Sequence, residues 1–82
     1  MPRFYFDIND GRTRTMDNEG HDLESFESAR KLAVQELALI IRDDMPDGER
    51  ESYVVVLRDA QGVPVYVATA TMIGEKLLED VE

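Results

Sequence analysis

Residues 4–8, Phe-Tyr-Phe-Asp-Ile, concentrate aromatic and β-branched side chains and predict a strand. Asp10-Gly11 follows, a pair suited to a two-residue type I′ turn because both central positions take positive φ. Residues 12–16, Arg-Thr-Arg-Thr-Met, alternate as a second strand. Such a hairpin sets Asn9 against Arg12, Asp7 against Arg14 and Tyr5 against Met16, so that opposite charges face each other. It also gathers Phe4, Phe6, Ile8, Thr13 and Thr15 on the other face. Residues 17–20, Asp-Asn-Glu-Gly, read as a turn.

The next pattern is helical. Ser25 is placed to cap it, and Glu24 and Glu27 suit the positive end of a helix dipole. From there to about residue 44, Phe26, Ala29, Ala33, Leu37, Ile40 and Ile41 fall on one face, with Lys31, Gln35, Ala38 and Arg42 opposite. Pro46 and Asp47-Gly48 predict the stop. Residues 53–58 form a third, nearly all-apolar strand. Residues 59–62, Asp-Ala-Gln-Gly, suit a type I turn with glycine in the left-handed position. The chain returns as a fourth strand over residues 63–72, and Pro64, having no N–H, predicts a sheet edge. The tail, residues 74–82, either frays or forms a short helix burying Leu77, Leu78 and Val81.

These elements assemble into a single α+β domain over residues 1–73, of order β-β-α-β-β. The expected sheet is four-stranded and antiparallel, in the order 2-1-3-4, with one long helix on one face. Phe4, Phe6, Ile8, Tyr53, Val55, Leu57, Val65 and Val67 are expected under the helix. The opposite face then carries Tyr5, Asp7, Arg12, Arg14 and Met16 on one hairpin and Val54, Val56, Tyr66, Ala68 and Ala70 on the other. Half of that face is apolar, more than a solvated sheet face should be, so the tail, a second copy or a partner is expected to cover it.

Composition narrows the functional classes. Hydrophobic residues at 43% and charged residues at 33% suit a folded domain rather than a disordered chain. A formal charge of −9 disfavours nucleic acid and anionic membrane surfaces and favours basic partners. With no cysteine, disulfides and thiolate metal sites are excluded, and a cytoplasmic setting is expected. The N-terminus meets charge too early for a secretory signal, and the longest apolar run, residues 37–41, is too short to span a bilayer.

Candidate chemistry is sparse. His21, the only histidine, is a conceivable general base, yet no serine or threonine stands in a nucleophile context, and a solvated loop histidine explains it better. Asp17, Glu19, Asp22 and Glu24, and then Asp43, Asp44, Asp47 and Glu49, lack calcium-loop spacing and read as solvated acidic loops. No metal and no cofactor are therefore expected. Arg3, Arg12 and Arg14 make a candidate anion patch on the first hairpin, although edge arginines also guard against aggregation.

The opening Met-Pro-Arg-Phe-Tyr-Phe-Asp, Asp10-Gly11, the turn at residues 17–20, Asp-Met-Pro-Asp-Gly at 44–48 and Val-Leu-Arg-Asp-Ala-Gln-Gly-Val-Pro-Val at 56–65 carry a resemblance. Over residues 1 to about 72 the chain resembles a family of short acidic bacterial proteins, known from soil and plant-associated bacteria, whose domain has no assigned function. No catalytic or binding residues come with that resemblance. A second likeness is to antitoxins of the HicB type, in a hairpin followed by an acidic, serine-capped helix start at residues 20–27. Such proteins oligomerise and bind a small toxin, often with a DNA-binding segment for which this chain has no room.

The expectation is a non-catalytic interaction or assembly module, acting as a homodimer or with a protein partner, and not an enzyme. Its candidate interaction face is Tyr5, Val54, Val56, Tyr66 and Ala68. The competing expectation is a small anion- or ligand-binding regulatory protein of antitoxin-like character.

Overall fold

The computed structural model describes residues 1–44 and 50–80. The expected helix stop at Pro46 and Asp47-Gly48, and Val81 of the tail, lie outside them. The elements run β1 (Arg3–Asn9), β2 (Arg14–Thr15), β3 (His21–Asp22), α1 (Phe26–Asp44), β4 (Arg50–Arg58) and β5 (Pro64–Ile73). The sheet is antiparallel in the order β2-β1-β4-β5, and β3 pairs with β1 as well. The fold is thus α+β, one helix on an antiparallel sheet.

The helix starts where its cap lies. Ser28 N–H donates to Ser25 Oγ at 3.2 Å, and Ala29 N–H to the Ser25 carbonyl at 3.1 Å. Ala29, Ala33 and Leu37 are buried against Phe4, Phe6, Tyr53, Val55, Leu57 and Ala68, with Leu32, Ile40 and Ile41 packed around them. Tyr53, Val55 and Leu57 are the largest fully buried side chains, each contributing roughly 1.5–3 kcal/mol through apolar burial. Phe26, expected in the core, stays 42% exposed at its rim and meets Tyr66 edge-on at 6.2 Å.

The second hairpin turns as its residues require. Gly62 takes φ +84°, its N–H reaches the Asp59 carbonyl at 2.9 Å, and Asp59 N–H reaches the Val63 carbonyl at 2.9 Å. The Asp59 carboxylate accepts from the N–H groups of Gln61 and Val63. Beyond that turn the register slips. Arg58 pairs with Pro64 but Leu57 pairs with Tyr66, a bulge that adds one residue to β5. Because side chains alternate with period two, the slip inverts the faces of β5. Tyr66, Ala68 and Ala70 lie under the helix, whereas Val65 and Val67, expected there, are 40% and 57% exposed on the opposite face. The inversion sets Ala68 into the core with the fully buried Ala29 and Ala33, small side chains that let helix and sheet approach closely.

Two further expectations are corrected. Ile8 pairs with Thr15 and Asn9 with Arg14, so the first hairpin has a four-residue loop rather than a two-residue one. Asp10 explains it: its carboxylate accepts from the N–H groups of both Arg12 and Thr13, an alternative to ladder pairing. The sheet expected to have four strands has five, because β3 follows the turn at residues 17–20 and pairs with β1, Arg3 opposite Asp22 and Phe4 opposite His21. The tail forms neither helix nor strand over residues 74–80, and Leu77 and Leu78 are 87% and 64% exposed.

Candidate functional site

The sheet face away from the helix carries Arg3, Tyr5, Asp7 and Asn9 from β1, and Ser52, Val54, Val56 and Arg58 from β4. Val65, Val67, Thr69 and Thr71 follow from β5. At its centre Arg58 clasps Asp7 with two bonds, Nε to Oδ2 at 2.7 Å and Nη2 to Oδ1 at 3.0 Å. Asp7 is the one buried charged residue among those described. The guanidinium also donates to the Asp17 carbonyl at 3.0 Å and lies over the Tyr5 ring, 5.0 Å from its centroid.

Asp17 N–H closes the network by donating to Asp7 Oδ1 at 3.0 Å. The Arg58 hydrogen bonds hold the Asp7 carboxyl below the usual carboxylate range, outweighing the opposing effect of burial. Burial likewise disfavours the Asp17 carboxylate, but donation from Gly20, Phe6 and Glu19 N–H groups keeps its pKa lowered.

A second ion pair lies along the same face. Arg3 holds Asp22 with Nε at 3.0 Å and Nη2 at 3.1 Å, and Nη1 donates to the Glu19 carbonyl. The carboxylates that the strands present here, Asp7 and Asp22, are therefore each matched by an arginine. Between and beside them lie half-buried Val54 and Val56 and the exposed Val65 and Val67. A shallow hollow of about 170 Å³ opens at Asp7, Asn9, Arg14, Val54 and Val56.

Of the candidate interaction residues, Tyr5, Val54 and Val56 share this face; Tyr66 and Ala68 do not, having turned under the helix with the β5 inversion. Met16, expected opposite Tyr5, lines the helix side instead. Val65, Val67 and Arg58 belong to the face and were not expected in it. Arg58 follows from its alternation with Val54 and Val56 on β4, whereas the signal for Val65 and Val67 is the parity of β5, which the turn residues alone leave pointing the wrong way.

The three arginines are not brought together. Arg3 opposes Asp22 at one end of β1, Arg14 opposes Asn9 at the other, and Arg12 pairs with Glu51 at 3.2 Å. His21 packs edge-on against Phe6, centroids 5.3 Å apart, with Nδ1 3.8 Å from Asp17 Oδ2. No group of three or more His, Asp or Glu residues converges as a metal site among the described residues; the second acidic cluster lies partly outside them.

A larger cleft, about 440 Å³, opens on the helix side between α1 and the outer edge of β1. Phe6, Ile8, Met16 and Leu32 give it an apolar floor, and Asp17, Glu19, His21 and Glu36 stand around it. It exists because α1 packs over β4 and β5, leaving part of β1 without a helix above it.

No helix of the described residues is long and apolar enough to cross a membrane. A family model, that of a domain of unknown function (DUF6894), matches residues 3–71. No curated protein and no solved structure matches the chain.

Proposed function

The chain belongs to the family of that domain of unknown function, and from this premise we propose that it is a non-catalytic, cytoplasmic assembly module whose open sheet face takes up a second copy of the same chain. The observation that carries the reading is the pairing of exposed valines with matched charge on one face. Val65 and Val67 stand exposed beside Val54 and Val56, while Asp7 and Asp22 are neutralised by Arg58 and Arg3. In a chain of formal charge −9 two copies repel on the whole, and on this face the two strand carboxylates are each offset by an arginine. Apolar strands left wet forgo roughly 25 cal/mol per Å² of apolar surface. A two-fold partner buries them with the same residues on both sides.

Residues 74–80 support a second copy rather than self-coverage, since Leu77 and Leu78 remain exposed. Light scattering on the intact chain and on Val67→Lys and Val54→Lys variants tests the reading. Twice the chain mass for the wild type and single mass for folded variants are expected. A wild type of single mass at high micromolar concentration overturns it.

A second reading, a small-ligand regulatory protein of bacterial, antitoxin-like character, draws support from the helix-side cleft. It does not rest on the arginines, since Arg3 and Arg12 already hold carboxylate partners.

A further inference from the structure

We propose that the helix-side cleft binds a small organic cation with an apolar body. Its volume of about 440 Å³ lies within the range of roughly 300–1,000 Å³ usual for small-molecule sites. Phe6, Ile8, Met16 and Leu32 offer an apolar bed. Three acidic residues line it, Asp17, Glu19 and Glu36, and no lysine or arginine does.

The roles of these carboxylates differ. Asp17 spends its oxygens on the N–H groups of Phe6, Glu19 and Gly20, so it shapes the rim and adds fixed charge. None of the described residues donates to the Glu19 or Glu36 carboxylate, which leaves both to meet a ligand ammonium. The Phe6 ring, only 6% exposed and edge-on to His21 at 83°, adds to the apolar bed rather than to the charge recognition. An anion of the same shape meets three like charges there, and a neutral analogue gains only the apolar bed.

The cleft opens on the opposite side of the sheet from the face assigned to self-association, so the two proposals stand or fall separately. Tryptamine, its neutral analogue tryptophol and its anionic analogue 3-(indol-3-yl)propanoate share one apolar body and differ in charge. Amide chemical-shift titrations of the intact chain distinguish them. Saturable shifts at Phe6, His21, Leu32 and Glu36 are expected with tryptamine, with about tenfold weaker binding of tryptophol, the ratio that two partly exposed ion pairs supply. No saturable binding of the propanoate is expected.

The Glu19→Gln, Glu36→Gln double variant, its fold checked by an otherwise unchanged spectrum, is expected to bind tryptamine no better than tryptophol and tryptophol as before. Equal binding of all three ligands, preference for the propanoate, no binding of tryptamine at ~10 mM, or shifts confined to Val54 and Val67 would each overturn the proposal.

Discussion

Replacing Asp7 by alanine probes the polar knot that joins β1, β4 and the segment before β3. The carboxylate is 5% exposed and accepts three hydrogen bonds, two from Arg58 and one from Asp17 N–H. Its loss strands a guanidinium whose side chain is only 18% exposed, together with the Asp17 N–H. Removing one partner of a buried pair typically costs about 3–5 kcal/mol. Arg58 keeps the Asp17 carbonyl and the Tyr5 ring, which places the expected loss near the lower end, at about 3 kcal/mol.

A domain of 82 residues has roughly 4–12 kcal/mol in total, so the variant should be visibly destabilised. Urea denaturation followed by circular dichroism measures it. The Asp7→Leu, Arg58→Met pair should recover most of the loss, because the cost lies chiefly in the stranded charge rather than in a net gain from the ion pair. An Asp7→Ala unfolding free energy within about 1 kcal/mol of the wild type would refute this account of the knot.

The same carboxylate sets an acid dependence. Because the Arg58 hydrogen bonds lower the folded pKa of Asp7 beneath its ordinary 3.8, its contribution is complete above that value and is lost as pH falls through the lower folded one; Asp7→Asn should flatten that part of an acid-denaturation curve. Gly20 takes φ +76°, and a Cβ there would stand 2.8 Å from Tyr5 Cε1, 3.0 Å from Arg3 Cγ and 3.1 Å from the Phe4 carbonyl. Gly20→Ala should therefore exceed the backbone strain of about 1–3 kcal/mol in thermal melting, whereas Gly62→Ala, whose nearest neighbour is Arg58 Nη1 at 3.8 Å, should show the strain alone. Ala68→Leu should cost about 1–3 kcal/mol by overpacking against the helix, while Val67→Leu on the open face should change stability by less than about 0.5 kcal/mol; the reverse ranking would restore the unbulged register.

Local chemistry reached as far as its own range. Ser25 announced the helix start, the Ala29, Ala33 and Leu37 spacing announced its buried face, and Asp59 with Gly62 announced the second turn. The strand path β2-β1-β4-β5 followed from alternating hairpin and helix connections. What escaped was register. Asp10-Gly11 suits a two-residue loop by its residue types, but the Asp10 carboxylate stabilises a wider one through two N–H groups.

Pro64 suits a sheet edge and a bulge alike, and Val65 and Val67 are as suited to burial as Tyr66 and Ala68, so the local residues do not distinguish the two registers. The bulged register sets Ala68 in the core with the distant Ala29 and Ala33, a contact outside the reach of local pattern. That one residue of slip moved Tyr66 and Ala68 out of the candidate face and Val65 and Val67 into it. β3 escaped for a similar reason. Two residues are too few to show alternation, and the strand exists through its pairing with the distant β1, Arg3 opposite Asp22 and Phe4 opposite His21.

In the proposed assembly the valine face of the sheet, and not the outer face of α1, meets a second copy. The most direct measurement is an isotope-filtered NOE experiment on an equimolar mixture of ¹³C-labelled and unlabelled chain. It detects only contacts between copies. Intermolecular NOEs from the methyl groups of Val54, Val56, Val65 and Val67 are expected. Intermolecular NOEs confined to Val34 and Leu39, which are 43% and 45% exposed on the helix, or none at all at high micromolar concentration, would contradict that assembly.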